Sequence, residues 1–218
     1  MTPPYHLLIR PPQEPEMDVF EAIATTRAMR RLDPDRDVDD ETLRTMIEAA
    51  TRAPSGGNSQ PVRWMIVREA EQRRRLGDIY RLCWQDVRGH YADQPRDPAG
   101  DRVLSSADHL GEHMGDAPVI LLPCSRGVPG QTEASVFPAV QNLFLAGRAL
   151  GIGTTLTTVH RLREDEVRTV LEIPEDIHTW CMIPVGHPLG RWGEAKRRPI
   201  AEVTHMNRWG TPSPFTPA

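Results

Sequence analysis

The sequence predicts one domain in which α-helices and short β-strands share a single hydrophobic core. The chain has 218 residues, which favours one sizeable core over two. Several segments carry apolar residues at the period of an α-helix. Between these segments lie short apolar or β-branched runs that end at proline or glycine, as strands do.

Six helices are predicted from periodic apolar positions and capping residues. Asp18 can cap the first helix, and Asp39 or Asp40 can cap the second. The second helix carries a core stripe at the spacing i, i+3, i+4 and i+7, formed by Leu43, Met46, Ile47 and Ala50. The same period predicts four further helices, over residues 69–91, 103–114, 135–150 and 163–171.

Four strands are predicted from short runs bounded by loop-forming residues, over 62–67, 118–123, 153–159 and 179–185. Residues 119–122 are continuously apolar, which indicates a strand that is buried on both faces. The segment 153–159 is rich in threonine, and β-branched residues favour strands.

Composition argues against several classes of function. The formal net charge is −4, and no basic face or long apolar run predicts binding to nucleic acid or insertion into a membrane. No signal peptide is apparent at the N-terminus. The three cysteines, Cys83, Cys124 and Cys181, are widely spaced and form neither a disulfide framework nor a metal motif. A cytoplasmic protein is therefore expected.

Residues 1–15 are rich in proline and are predicted to form a flexible arm, so the domain is expected to comprise residues 16–218. Within it, residues 191–218 form a tail without periodicity that carries Trp192, Trp209 and Phe215. Such a tail cannot build its own core, and we expect it to pack on another surface, such as a partner subunit.

Three groups of residues are candidates for ligand binding. The loop 53–61 combines two glycines, two prolines and short polar side chains, which suits close approach to a flat polar ligand but also suits an ordinary turn. Arg27, Arg30 and Arg31 could clamp a phosphate, as could a second basic cluster at residues 196–198. Each cluster taken alone could equally be a solvated charged surface.

The sequence His109-Leu-Gly-Glu112-His113 matches the inverted zinc-protease motif H-x-x-E-H. Gly111 weakens a helix at this point, and no later glutamate stands where a third zinc ligand would be needed. We therefore expect no metal site here. A phosphate clamp, a glycine-rich loop and a threonine-rich strand are instead the components of a flavin mononucleotide (FMN) site, in which the cofactor supplies the chemistry.

Five motifs in order resemble the FMN-dependent nitroreductase family over residues 17–203. They are Thr26-Arg-Ala-Met-Arg-Arg-Leu32, Ala53-Pro-Ser-Gly-Gly-Asn-Ser-Gln-Pro61, Gln141-Asn-Leu143 leading to Gly151-Ile-Gly-Thr154, Pro184-Val-Gly186 and Arg197-Arg-Pro199. The chain departs from the family pattern at Thr26-Arg27-Ala28, where the family often has a further arginine and a serine, and at Val62, where it often has tryptophan.

The resemblance implies an α+β fold: a three-layer α-β-α sandwich with a mixed central sheet. It also implies an intertwined homodimer with FMN in each of two interface sites. The cofactor-binding residues would be Arg27, Ala28, Arg30, Arg31, Pro54, Ser55, Gly56, Asn58, Leu156, Thr157, Thr158, Arg197 and Arg198. The arginines would contact the phosphate or ribityl chain, the loop would reach the flavin ring from the other subunit, and residues 156–158 would line the ring edge.

The expected function is therefore that of an FMN-dependent oxidoreductase that uses NADPH or NADH to reduce an electron-poor small molecule, such as a nitroaromatic compound or a quinone. The alternatives are a protein that sequesters or senses FMN, and a specialised activity of this fold: dehalogenation, flavin cleavage or heterocycle oxidation. Residues 81–101 are the candidate lid over the site.

Overall fold

The structure, a computed structural model, describes residues 17–127 and 132–215. The predicted arm at residues 1–15 lies outside the described residues. Six helices and five strands follow one another in these two ranges: α1 Val19–Thr25, α2 Asp40–Thr51, β1 Arg63–Val67, α3 Ala70–Ala92, α4 Pro98–His113, β2 Val119–Ser125, α5 Glu133–Ala149, β3 Gly153–Thr154, α6 Glu164–Leu171, β4 His178–Thr179 and β5 Ile183–Gly186.

All six predicted helices are present, and the first two begin where their caps predict. The Asp18 carboxylate accepts hydrogen bonds from the amides of Phe20 and Glu21, at 2.7 and 3.0 Å. The Asp39 carboxylate accepts one from the amide of Thr42 at 2.7 Å. This bond holds the pKa of Asp39 below its usual range, because it favours the ionised form.

The sheet has the strand order β1-β2-β5-β3, and β4 also pairs with β2. All of these strand pairs are antiparallel. Among the described residues, one bridge is parallel. It joins Thr154 of β3 to Ala28, which lies in the irregular segment between α1 and α2. The sheet is thus more antiparallel than the expected mixed sheet, and its one described parallel contact lies beside the arginine segment.

Strand β2 divides the core into two halves, because its side chains alternate between the two faces of the sheet. Val119 and Leu121 pack with helices α2 and α5 on one face. Ile120 and Leu122 pack with α3, α4 and α6 on the other face. All seven residues of β2 are buried, which confirms both the predicted doubly buried strand and the three-layer arrangement.

Two of the predicted strands are shorter than expected. The strand predicted over 153–159 ends at Thr154, and the chain then forms a 3-10 turn over Val159–Arg163. The strand predicted over 179–185 divides into β4 and β5. On β2 the partners Leu121 and Cys124 are three residues apart, whereas their counterparts Ile183 and Thr179 are four apart. One extra residue therefore bulges from the ladder at this point.

The three cysteines are buried free thiols. Burial raises the pKa of Cys124 to about 12, since an apolar environment disfavours the thiolate. None of the helices within the two described ranges has both the length and the apolarity that crossing a membrane requires.

Helix α3 lies in backbone contact with the turn Met114–Asp116 at a pair of glycines. A methyl group added to Gly77 would lie 2.7 Å from the backbone nitrogen of Gly115. A methyl group added to Gly89, in the same helix, would meet no atom within 4 Å. Alanine at Gly77 therefore tests the close packing of α3 against the turn, and alanine at Gly89 tests only the intrinsic preference of a helix for alanine.

We predict opposite effects of alanine at these two positions on the free energy of unfolding. Gly77→Ala should destabilise the protein by roughly 1–3 kcal/mol, because two rigid backbones must move apart. Gly89→Ala should stabilise it by roughly 0.5–1 kcal/mol, because it restricts the unfolded chain without a clash. Urea unfolding of both variants checks this. Equal effects at the two positions would show that α3 is not held against the turn.

Candidate functional site

The arginine segment, residues 27–33, lies between strand β3 and residues 187–189, which lead into the C-terminal tail. The amide of Met29 donates to the carbonyl of Thr154 at 2.9 Å. On the other side, the amide of Asp33 donates to the carbonyl of His187 at 2.8 Å. Met29 is buried, so its neighbour Arg30 extends in a different direction from the core.

The three arginines of this segment have three different environments. Arg30 is half-buried and lines a cavity of about 420 Å³. Arg31 is exposed, and its guanidinium donates to Nδ1 of His109 at 3.1 Å. Arg27 is exposed, and its guanidinium lies 4.0 Å from the position that a Cβ on Gly193 would occupy. The segment therefore directs only Arg30 into this cavity.

Arg30 has no hydrogen bond or ion pair with any residue of the described chain. Burial lowers the pKa of its guanidinium, and the side chain remains a cation at neutral pH. A partly desolvated cation without a counter-charge is costly in free energy. The site is therefore suited to an anionic or electron-rich ligand that would supply the missing interaction.

The cavity around Arg30 lies between residues 156–159 and the hairpin formed by α3 and α4. Most of its walls come from this hairpin: Tyr80, Trp84, Tyr91, Gln94, Arg96, Gly100, Val103, Leu104, Ala107 and Leu110. The remaining lining residues are Leu156, Thr157, Thr158 and Val159. The segment 81–101, expected as a lid, thus contributes the turn of the hairpin and much of one wall.

Tyr80 connects the hairpin to the floor of the cavity. Its hydroxyl lies 3.1 Å from Oγ1 of Thr157, and both side chains are buried. Burial raises the pKa of Tyr80, although the nearby Arg30 cation opposes this shift. Tyr80 is therefore neutral at physiological pH, and it can hold Thr157 in place but carries no charge.

Arg96 also lines the cavity, but its charge is already engaged. Its guanidinium donates to the carbonyls of Tyr91 and Ala92, both at 2.7 Å, at the end of α3. Its Nε lies 3.2 Å from a carboxylate oxygen of Asp101 in α4. Arg96 therefore ties the two helices of the hairpin together.

The glycine-rich loop lies outside the Arg30 cavity. Gly57, Asn58 and Gln60 have positive φ angles, of 57°, 54° and 47°. The amide of Gly56 donates to Oγ of Ser135 on α5 at 3.1 Å. Ser55 lines a separate cavity of about 170 Å³ together with residues of α2, β1 and α5. Within one chain, the fold does not bring this loop to Arg30.

The remaining predicted ligands are also apart from Arg30. Pro54, Gly56 and Asn58 are exposed. Arg197 and Arg198 are exposed in the tail, where Arg197 donates to the carbonyl of Lys196 at 3.1 Å. Ala28 is exposed beside Thr154. One chain therefore assembles Arg30 with Leu156, Thr157 and Thr158, and leaves the other predicted residues separate.

The two histidines of the H-x-x-E-H sequence contact each other and their neighbours. The rings of His109 and His113 stack with their centroids 4.3 Å apart. Nδ1 of His109 accepts a hydrogen bond from Arg31, so in the neutral ring Nε2 carries the proton and has no lone pair for a metal. In the described ranges no group of three or more His, Cys, Asp and Glu residues could hold a metal ion.

Sequence reasoning missed several residues of the site. The sequence analysis assigns no role in the site to Tyr80, Trp84 or Tyr91. These two rings stack at a centroid distance of 5.6 Å and form an aromatic surface in the cavity wall. A signal was available in the cluster of aromatic residues within the predicted lid. Its meaning depends on how α4 folds back on α3, which periodicity does not reveal.

His160 lies behind the floor of the cavity, in the 3-10 turn that follows Thr158, and is fully buried. Its Nε2 lies 3.1 Å from Oγ1 of Thr179. That hydroxyl in turn donates to the carboxylate of Glu164 at 2.9 Å. Burial lowers the pKa of His160 from 6.5 to about 4, because the interior disfavours imidazolium.

These features define an α+β protein with a ligand cavity between the sheet and a helical hairpin. Residues 23–187 match the sequence profile of the Nitroreductase family. Because this range covers more than half of the chain, the protein belongs to the nitroreductase family.

Relatives and solved structures agree with this assignment. A protein from Methanothermobacter thermautotrophicus, provisionally named an NADH dehydrogenase/NAD(P)H nitroreductase, is 28% identical over 200 residues, which is 89% of each chain. The iodotyrosine deiodinase of Thermotoga neapolitana is 30% identical over 68% of this chain and 77% of its own. A provisionally named nitroreductase from Desulfovibrio desulfuricans, solved in complex with FMN, is 26% identical with a TM-score of 0.66, covering 89% of this chain and 99% of its own.

We predict that His160 makes the protein sensitive to acid. Its pKa is lower in the folded state than in the unfolded state. As pH falls from 6.5 towards about 4, the unfolded chain therefore binds a proton at this residue and the folded chain does not. The free energy of unfolding should decrease across this window by a total of roughly 2–3 kcal/mol from this residue.

Urea unfolding of the wild type and of His160→Gln, measured from about pH 7 to about pH 4, tests this contribution. The variant should lose less stability across the window than the wild type. His90→Gln, at an exposed position on α3, is the control and should follow the wild type. Parallel curves for His160→Gln and the wild type would contradict the prediction.

Proposed function

We propose that this protein is an FMN-dependent oxidoreductase that uses NADPH or NADH to reduce an electron-poor small molecule. The observation that carries the proposal is the unpaired, half-buried Arg30 in a cavity that is also lined by residues 156–158. Membership of the nitroreductase family, with a solved relative in complex with FMN, supports the choice of cofactor.

The residues present fit FMN. A guanidinium that lacks a counter-charge can donate several hydrogen bonds to a phosphate, a ribityl hydroxyl or an electron-rich ring edge. Leu156 offers an apolar contact, and Thr157 and Thr158 offer hydroxyls and backbone groups in the same cavity. Arg30 is the member of the three-arginine cluster that we assign to this cavity, whereas Arg31 is engaged by His109.

When bound, FMN supplies hydride and electron transfer, so the protein needs no acid or base of its own for that chemistry. The hairpin of α3 and α4 would exclude water from the cofactor. Tyr80 would hold Thr157 at the ring edge through the hydroxyl contact at 3.1 Å. Arg30 would orient the cofactor and balance negative charge that develops on it.

The cavity wall favours a neutral aromatic substrate. Trp84 and Tyr91 offer a stacked aromatic surface. Arg96, the cation of the hairpin that lines the cavity, is already engaged by backbone carbonyls and Asp101. None of the lining residues is acidic. Such a wall stabilises a flat electron-poor ring better than a zwitterionic amino acid, which favours nitroaromatics and quinones over the iodotyrosine of the deiodinase relative.

The site is proposed to be completed in a homodimer. Helix α1 exposes Phe20 by 79%, and its neighbours Val19 and Ile23 are exposed as well. In the tail Trp209 is 92% exposed. Burying these side chains against a second copy would remove apolar surface from water, and it would let the loop 54–58 and the part of the tail around Trp209 reach the partner's cavity. Sedimentation velocity should show a dimer, and a monomer that binds FMN tightly would contradict this proposal.

We predict that Arg30→Met weakens FMN binding by about tenfold to a hundredfold, because it removes charge-assisted hydrogen bonds from a partly desolvated site. Methionine retains much of the side-chain length and its apolar contacts. Flavin fluorescence titration of the flavin-stripped protein measures the dissociation constant.

Arg74→Met is the matched control. Arg74 lies exposed on α3 and pairs with Glu71 on the same helix, so its replacement should leave FMN affinity unchanged. Equal FMN affinities for the wild type and Arg30→Met would show that Arg30 does not contribute to FMN binding. A wild-type protein that binds no FMN would refute the proposed function.

A further inference from the structure

Arg148 is a buried cation on helix α5. Only 9% of its surface is exposed, and it stands among the small residues Ala146, Gly147 and Ala149. Burying a charge is costly unless the surrounding groups compensate for it. The groups that contact this guanidinium are therefore expected to compensate for the cost of burying its charge.

The guanidinium of Arg148 contacts two distant parts of the chain. Its Nε donates to Oγ1 of Thr25 at 2.8 Å. Its central carbon lies 4.6 Å from the ring centroid of Trp192, which is the geometry of a cation–π interaction. The carboxylate of Glu21 lies 3.8 Å away and is half-exposed, so it neutralises the charge only in part.

Both partners stand just before a basic cluster. Thr25 ends helix α1 and precedes Arg27 by two residues. Trp192 lies at the start of the tail, five residues before Arg197. A single buried guanidinium therefore links the chain segments from which the two basic clusters project.

Residues 187–189, which lead into the tail, also run antiparallel to the arginine segment. The amide of Asp33 donates to the carbonyl of His187, and the amide of Leu189 donates to the carbonyl of Arg31 at 3.0 Å. Further along, the chain at Gly193 passes the guanidinium of Arg27. Arg197 lies four positions after Gly193, so its Cα is within about 14 Å of the Cα of Gly193.

We propose that Arg148 is a positioning residue for an anion site formed by Arg27 and the basic residues at 196–198. It fixes the end of α1 through Thr25 and the exit of the tail through Trp192, so that the two clusters face the same ligand. The ligand is a phosphate monoester, namely the terminal phosphate of the flavin nucleotide. This inference rests on the proposed function, and Arg148 itself does not touch the ligand.

The experiment compares two flavins that differ only in the phosphate. Flavin-stripped full-length protein is titrated with FMN and with riboflavin, and the ratio of the two dissociation constants reports the contribution of the phosphate. Arg148→Met should weaken FMN binding by about tenfold and leave riboflavin binding within about twofold of the wild type. Arg148→Lys retains the cation and should restore part of the preference for FMN.

Variants of Trp192 test the same link without changing a buried charge. Trp192→Leu removes the aromatic face and should lower the preference for FMN, as Arg148→Met does. Trp192→Phe retains an aromatic face and should keep most of the preference. These variants keep the proposal open to test if Arg148→Met does not fold.

A selective loss of FMN affinity in Arg148→Met and Trp192→Leu would support the proposal. If both flavins lose affinity equally, or if neither does, Arg148 has only a structural role and the proposal is overturned. If the wild type binds riboflavin and FMN equally, no phosphate site exists and the proposal also fails. If the wild type binds neither flavin, the proposed function itself fails and this inference fails with it.

Discussion

Three backbone hydrogen bonds hold the arginine segment between strand β3 and residues 187–189, which lead into the tail. The bonds join Met29 to Thr154, Asp33 to His187 and Leu189 to Arg31. The packing is close, because a methyl group on Gly153 would lie 2.9 Å from Leu32 and 3.0 Å from Met29. A side chain at Gly153 would require the neighbouring side chains of the segment to shift. The three bonds therefore set the register of the segment, and this register determines the direction in which each arginine extends.

This constraint determines what the site contains. With Met29 buried, Arg30 extends into the cavity, and the neighbouring β3 continues directly into residues 156–158, which form the cavity floor. The bulge between β4 and β5 has a related effect, because it lets Met182 exchange backbone hydrogen bonds with Thr157, at 2.8 and 3.1 Å. Thr157 is then fixed both by its backbone and by the Tyr80 hydroxyl.

The wall of the cavity is built differently from its floor. The floor belongs to the sheet and to the segments paired with it, whereas the wall is a hairpin of two helices tied together by Arg96. Hairpin residues outside the buried core, such as Tyr91 and Arg96, can change without disturbing the sheet. This separation is consistent with a family in which relatives carry different names, nitroreductase and deiodinase among them. Substrate choice is expected to reside in the hairpin and cofactor binding in the floor.

Much of the fold could be predicted from sequence, because burial leaves a periodic pattern. The core stripe of α2 is visible in Leu43 and Met46, and the doubly buried β2 is visible as a continuous apolar run. The bulge near Trp180 leaves no such trace, since both its flanks are apolar. Which of the three arginines faces the cavity also depends on a register that only the pairing with β3 sets.

The candidate site was predictable mainly through its resemblance to a family. Charge and glycine content alone left the arginine clusters and the loop with ordinary explanations. No sequence pattern identifies Arg148, because one arginine in an apolar helix forms no motif. Its partners Thr25 and Trp192 are also distant in sequence. Contacts of this kind depend on tertiary structure, and no local pattern contains them.

The most direct test of the proposed oxidoreductase is an absorption spectrum of the FMN-loaded protein in the absence of oxygen, recorded before and after addition of NADPH and, separately, NADH. Flavin bands that bleach with at least one nucleotide, and that return on addition of a quinone or nitroaromatic compound, are the predicted result. Bands that persist with both nucleotides would contradict an NAD(P)H-dependent reductase and would indicate a protein that binds or senses the flavin.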